Sequence, residues 1–252
     1  MRGLQWFNAL SVGATPVEGL PASLKVADGE LGRFIAVVTD QQNRFPRARN
    51  GEVGLLEGWG LAKAVDDAIA RGDKRPIIAI VDVPSQAYGR REEALGIHQA
   101  LAAAADSYAR ARLAGHPVIA LLVGKAMSGA FLAHGYQANR LIALRDPGVM
   151  VHAMGKASAA RVTLRSVEEL EALAASVPPM AYDIDNYASL GLLWETLSVR
   201  QIEQPTADDV ARVSDCLISA IKDIDSTDLS GRLGATNRAA SSHVRQLLRE
   251  QW

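Results

Sequence analysis

One cysteine stands in 252 residues, Cys216. An intramolecular disulfide is therefore excluded, and so is every zinc or iron–sulfur site built on a set of cysteines. A lone thiol fits a reducing compartment, and Cys216 reads as a small packing residue in the amphipathic run 211–221. Metal-binding histidine patterns are missing too: neither H-x-x-x-H nor H-E-x-x-H occurs, so local sequence supplies no ligand set and no metal is expected. Excess charge is absent, because 27 Lys+Arg against 28 Asp+Glu leave −1. That balance removes the global electrostatic reason to bind nucleic acid or an anionic membrane. No uncharged apolar run reaches the ~18 residues that a bilayer span requires. Residues 1–30 are interrupted by Asn8, Pro16, Glu18 and Pro21, so they lack the apolar core of a secretory signal. The expectation is a cytoplasmic protein.

With 48% hydrophobic and 22% charged residues, disorder is excluded as the main state. Aromatics are sparse at 5%, so the core must be aliphatic and alanine-rich. A chain this long buries roughly 70–75% of its unfolded surface in one core, and no stretch rich in Gly, Ser or Pro marks a linker; one domain over 1–252 is expected. Extended runs at 23–26 and 33–39 flank Asp28, Gly29 and Glu30, a hairpin signal. A loop at 41–50 carries Arg44, Pro46, Arg47 and Arg49. Residues 52–71 have apolar positions at helical spacing and stop at Gly72. The continuous apolar runs 76–83 and 117–123 read as strands buried on both faces. Between them a long alanine-rich helix is predicted over 92–113. After the second strand a small-residue turn, 124–131, opens another helix, and short strands follow at 140–144 and 148–152. Residues 166–248 are mostly helical, with an extended piece at 192–199 and a polar, loosely packed segment near 225–238. The pattern is α/β with buried parallel strands.

Two loops follow directly on the two buried strands, where ligands of open α/β sheets bind. In the second, Gly124 and Gly129, with Ala126, Ser128 and Ala130, let the main chain approach a ligand, and Ser128 and Gly129 stand at a helix start where N–H groups favour negative charge. The alternative is a tight strand-to-helix packing turn. The turn is neither a Walker loop nor a G-x-S-x-G nucleophile elbow, since Ser128 lies in Lys-Ala-Met-Ser-Gly. The first loop offers Ser85, Gln86, Ala87, Tyr88 and Gly89, with Arg90 and Arg91 at its rim, as a pocket wall or as a solvated turn. Asp82 orients that loop or caps nearby groups. His98, His116, His134 and His152 recur every 18 residues, but their flanks share nothing and they fall on different elements, so the period has no common geometric meaning.

The stretch from Pro76 to Ala133, with Asp82-Val83-Pro84, Ala87-Tyr88, Arg91-Glu92-Glu93, Pro117-Val118-Ile119 and Ser128-Gly129-Ala130, resembles the carboxyltransferase branch of the crotonase superfamily. The opening hairpin and the run from Val149 to Ser158 continue the likeness, so about 170 residues take part. Within the branch, VDVPSQAYGRREEALGIHQALA, GKAMSGAFLAHGYQANR and VMVHAMGKAS are most similar to the gamma subunits of biotin-independent malonate decarboxylases. The fuller GGSGGA glycine set of biotin-dependent alpha subunits is missing, and Met154-Gly155-Lys156 replaces their Glu-Gly-Cys.

The resemblance implies a crotonase-like spiral of ββα units with a helical C-terminal part. It implies a partner beta subunit of the same fold, together with acyl carrier protein and carrier-protein transferase subunits. The pair would convert malonyl-S-carrier to acetyl-S-carrier and CO2 through a thioester enolate stabilised by an oxyanion hole. No cofactor is expected on this chain; the substrate arrives on the phosphoribosyl-dephospho-CoA arm of the carrier, for which a CoA thioester is an analogue. Ser128 and Gly129 are expected to hold the departing carboxylate. Tyr88 is the first proton donor expected, with His134 and His98 behind it. Ser85, Gln86, Ala87, Gly89, Lys125, Met127 and Gly155 are expected to line the substrate. Three other readings stay open: a non-catalytic subunit that docks the acidic carrier through Arg44, Arg47 and Arg49, the alpha-type half of a biotin-dependent acyl-CoA carboxyltransferase, and a free-standing CoA hydratase or isomerase. The last is weakened because no carboxylate pair flanks the glycine turn.

Overall fold

Apolar on both faces, the runs 76–83 and 117–123 have no side to show to water, and they lie at the middle of an eight-stranded sheet. The computed structural model describes residues 1–225, 229 and 235–252. In chain order the strands are β1 (Thr15–Pro16), β2 (Leu24–Asp28), β3 (Arg33–Val37), β4 (Ile77–Val83), β5 (Val118–Met127), β6 (Arg140–Leu144), β7 (Met150–His152) and β8 (Glu195–Leu197). The sheet runs β1-β2-β3-β4-β5-β6-β8, with β7 branching from β5. The β2–β3 hairpin is antiparallel, as its turn residues foretell, and every pairing from β3 onward is parallel.

The helices are α1 (Arg2–Leu10), α2 (Leu55–Arg71), α3 (Arg90–Ala94), α4 (Ile97–Leu113), α5 (Ser128–Ala133), α6 (Lys156–Val162), α7 (Val167–Ala174), α8 (Ile184–Ser189), α9 (Ala207–Asp223) and α10 (Ala239–Gln251). The single helix predicted over 92–113 is two helices. Gly96 breaks it in the left-handed region, at φ 81°, which a residue without Cβ adopts freely. Helix α2 ends as expected at Gly72, also left-handed. Its first turn is held by Glu57, fully buried, whose carboxylate accepts hydrogen bonds from the Gly54 N–H, the Asn43 amide and the Ser23 hydroxyl. That one acid ties the 41–50 loop and the start of β2 to α2.

Helix α1 packs on the central strands β3, β4 and β5, and its buried Trp6 has its indole N–H 2.9 Å from the Ile202 carbonyl, to which it donates. The extended piece foreseen at 192–199 joins the sheet as β8, parallel to β6. Cys216 on α9 is half-buried against the core, and burial, reinforced by the charge of Glu195, pushes its thiol up to about 11, in keeping with a packing role. Most of the polar 225–238 segment lies outside the described residues. No helix among the described residues is long and apolar enough to cross a membrane.

Candidate functional site

Strand β5 changes neighbours along its length. Its first half pairs with β6 at 119–122 and its second half with β7 at 125–127. The change falls at a bulge against β4. From the Val81–Leu122 pair to the Val83–Ala126 pair, β4 advances two residues while β5 advances four. Such an insertion bends a strand and re-aims the residues beyond it. Asp82 fills the bulge. Its Oδ1 accepts the Lys125 N–H at 3.1 Å and its Oδ2 the Gly3 N–H at 3.0 Å. A Cβ on Gly124 would collide with that carboxylate, its Cγ at 2.5 Å and Cβ at 3.1 Å, so Gly124 is required by close approach. It belongs to the strand, and the expectation that 124–131 is one glycine turn is corrected accordingly: β5 continues to Met127, and the chain reverses only at Ser128.

Ser128 carries the reversal at φ 57°, a left-handed conformation that costs a residue with a Cβ roughly 1–2 kcal/mol. Helix α5 starts at that residue. Because β4 and β5 are parallel neighbours, the 84–89 loop and this turn emerge side by side. One hydrogen bond joins them: Gly129 N–H donates to Gln86 Oε1 at 2.9 Å. The N–H expected to face a ligand thus already has a protein acceptor.

The remaining loop residues divide by environment. Val53 pairs with the loop backbone, its N–H donating to the Ser85 carbonyl and its carbonyl accepting from the Ala87 N–H. Ala87 is buried with Phe45, Ala48, Leu55, Ile97 and Ala100, so it anchors the loop. The Ser85 hydroxyl donates to the neighbouring Gln86 carbonyl. Tyr88 is 53% exposed. Gly89 is extended and N-caps α3, hemmed by Arg47 and Glu92. Lys125 is exposed. Met127 is buried in a small cluster with Ala159, Leu170 and Tyr182, which makes it a support for the site and not a wall. Gly155 N-caps α6, with open space where a Cβ would stand.

His134 is corrected outright as a proton donor. It is fully buried, with Nε2 3.0 Å from the Ile80 carbonyl and Nδ1 3.0 Å from the Tyr108 hydroxyl. A carbonyl only accepts, so Nε2 carries the proton and Nδ1 receives the tyrosine O–H. Burial, opposed by the Ile80 hydrogen bond, lowers its pKa to about 4, and burial raises that of Tyr108. The pair is a neutral core contact. His98, on the exposed side of α4, is solvated.

A cavity of about 370 Å³ opens beside the turn, lined by Ser128, Gly129, Tyr136, His152, Tyr187 and Leu192 among others. His152 is the residue sequence reasoning missed. Its ring stacks on Tyr182 at 3.9 Å and 12°, its Nδ1 lies 3.0 Å from the Met154 carbonyl oxygen and 3.2 Å from the Met154 nitrogen, and the Tyr182 hydroxyl donates to the Met154 carbonyl. Burial lowers its pKa, against a hydrogen bond with Met154 that raises it. The two stacked rings come from positions 30 apart in sequence, and no local pattern announces such a pair. Behind Tyr182 a second cavity of about 310 Å³ holds Lys156, ion-paired to Glu171 at 2.6 Å. No group of three or more His, Cys, Asp or Glu able to hold a metal occurs among the described residues.

The basic rim is also sorted by the fold. The Arg44 and Arg91 guanidinium carbons lie 4.8 and 5.1 Å from the centre of the Phe45 ring, from segments far apart in sequence. Arg47 and Arg90 are exposed near them, and none of the four forms an ion pair with a described carboxylate. Arg49 is turned inward, its Nε donating to the Asn43 carbonyl.

Similarity to known proteins extends along the whole chain. The family model MdcE, malonate decarboxylase gamma subunit, matches residues 48–252. The chain is 34% identical over 249 residues to the malonyl-S-ACP:biotin-protein carboxyltransferase MADD of Malonomonas rubra, spanning 95% of this chain and 81% of that protein. It is 71% identical to a chain of a Pseudomonas malonate decarboxylase hetero-tetramer solved with coenzyme A, with a TM-score of 0.94 over 100% of this chain and 99% of that one. Transcarboxylase 12S, 20% identical with a TM-score of 0.64 over 87% of this chain and 39% of its own, shares the fold. On the crotonase-type α/β fold of the carboxyltransferases, this chain belongs to the malonate decarboxylase gamma-subunit family.

Proposed function

We propose that the chain, as one crotonase-like domain, pairs with a beta subunit of the same fold, and that the pair decarboxylates a malonyl thioester delivered by an acyl carrier protein in the cytoplasm. The supporting observation is the convergence of the 84–89 loop and the Ser128 turn, linked by the Gln86–Gly129 hydrogen bond, with the turn lining the cavity that holds His152. The hetero-tetrameric state of the Pseudomonas enzyme and its bound coenzyme A favour a partner subunit and a CoA-like thioester arm.

In this reading the malonyl carboxylate lies against the Ser128 turn while the thioester carbonyl is held by donors on the beta subunit. The bond between the carboxylate carbon and Cα breaks, CO2 departs, and the electron pair passes to the thioester oxygen as an enolate. A fixed donor at that oxygen is typically worth about 3 kcal/mol of barrier. A proton added to Cα then gives the acetyl thioester. Tyr88, on the exposed tip of the loop, is the donor on this chain able to meet a substrate held across an interface.

The Arg44, Arg47, Arg90 and Arg91 rim suits an acidic carrier protein docking beside that loop. The test monitors malonyl thioester by mass spectrometry for loss of CO2, with the purified complex and the isolated chain in parallel. Conversion by the complex alone, lowered at least about tenfold by Gly129→Val, is expected. Unaltered conversion in the Gly129→Val complex would remove the turn from the reaction, and conversion by the isolated chain would remove the shared site.

A further inference from the structure

A side-chain amide has two ends of opposite character, and Gln86 has only one way to face. The Gly129 N–H can be met only by an acceptor, so the oxygen of Gln86 is the end turned to the turn, at 2.9 Å, and the NH2 is turned away from it. That nitrogen has no partner among the described residues, and it is not sealed from water. The loop that carries it is itself pinned. Residues 85 and 87 are hydrogen-bonded to Val53 on either side, and Ala87 is packed in a pocket of five apolar side chains. The two donors of Gln86 are therefore held in a fixed direction next to the cavity turn. Donors pre-set in this way lose little freedom when an anion arrives.

We propose that the Gln86 NH2 is the group that recognises the malonyl carboxylate, and that the Gly129 N–H serves to orient Gln86 in place of binding the substrate directly. This rests on the reading that the two loops form the reaction site. It revises the part that Gly129 plays there. A neutral amide suits a carboxylate that must leave as CO2. It binds the charged ground state enough to choose malonyl over acetyl thioester, without the ion pair that would hold the carboxylate back.

The test uses the assembled complex and the variant Gln86→Glu. Glutamate keeps an oxygen for the Gly129 N–H but lacks the NH2 and adds a negative charge. Binding of malonyl-CoA and of acetyl-CoA is measured by calorimetry, alongside kcat and KM for decarboxylation. The expected result is a rise of about 10- to 100-fold in KM for malonyl-CoA, with acetyl-CoA affinity within about twofold of wild type, so that selectivity between the two ligands falls. Gln86→Ala, which loses both ends of the amide, should lower the affinity for malonyl-CoA and also loosen the Ser128 turn, seen as faster amide exchange at Gly129.

A Gln86→Glu complex that keeps its malonyl-CoA KM overturns the proposal, as does equal weakening of both ligands, which is the signature of a purely structural contact. Gly129→Val separates the two levels. If it abolishes turnover while Gln86→Glu is neutral, only the role of Gln86 is lost. If neither change matters, the placement of the site is wrong as well.

Discussion

Acidification should unload His134 from the stability of this fold. The folded pKa is about 4, lowered by complete burial against the opposing Ile80 hydrogen bond, whereas an unfolded histidine titrates near 6.5. The unfolded chain therefore binds the extra proton first as pH falls. The neutral ring's contribution is intact above pH 6.5, declines between 6.5 and 4, and is fully lost below 4. At pH 7.5 the protonation penalty is negligible; at pH 5 it is roughly 2 kcal/mol, and by pH 4 roughly 3 kcal/mol. The clean measurement is a difference. Urea unfolding of the wild type and of His134→Gln is recorded from pH 7.5 to 4.5. The variant starts less stable, because it disturbs the hydrogen bonds to Tyr108 and Ile80, but it has no imidazole to protonate. The gap between the two should narrow by roughly 2 kcal/mol by pH 5, whatever His152 and the carboxylates contribute to both. Two parallel pH profiles, or a nitrogen resonance showing His134 titrating above pH 6, would refute the assignment of a neutral, doubly bonded core histidine. Decarboxylation by the His134→Gln complex at pH 7.5 should stay within a few-fold of wild type.

Gly124→Ala should cost about 1–3 kcal/mol in thermal or urea unfolding, because its Cβ displaces the Asp82 carboxylate from the N–H groups of Gly3 and Lys125; a neutral substitution would mean that the bulge relaxes freely. Ser128→Gly should retain turnover and match or exceed wild-type stability, since glycine meets the left-handed φ of 57° without a Cβ penalty. A large loss of rate would instead assign the Ser128 hydroxyl a part in the chemistry. Reversing Arg44 and Arg91 together to glutamate should raise KM for the carrier-bound substrate about tenfold at low salt and leave malonyl-CoA unaffected. An equal rise for both substrates would place the two arginines on the arm and not on the carrier protein.

Much of the scaffold is legible in the linear chain. The runs at 76–83 and 117–123 had to be interior strands because neither face offers water a polar side chain, and Asp28, Gly29 and Gly72 mark turns through local backbone preference alone. The order of elements, the hairpin and the loops after β4 and β5 come from such short-range physics, and the resemblance over 76–133 adds the family, which the comparisons bear out. The tertiary structure decided everything that depends on long-range proximity. The bulge at Asp82 turns Gly124 from a loop glycine into a strand residue under close contact, and only the pairing register of β4 and β5 reveals it. Burial separates two histidines that look alike in sequence: His134 is sealed between Tyr108 and Ile80, while His152 stacks on Tyr182 beside the cavity. Gln86 and Gly129 are 43 positions apart, and the polarity of their single hydrogen bond, set by the rule that an N–H needs an acceptor, exists only once two parallel strands bring their loops together.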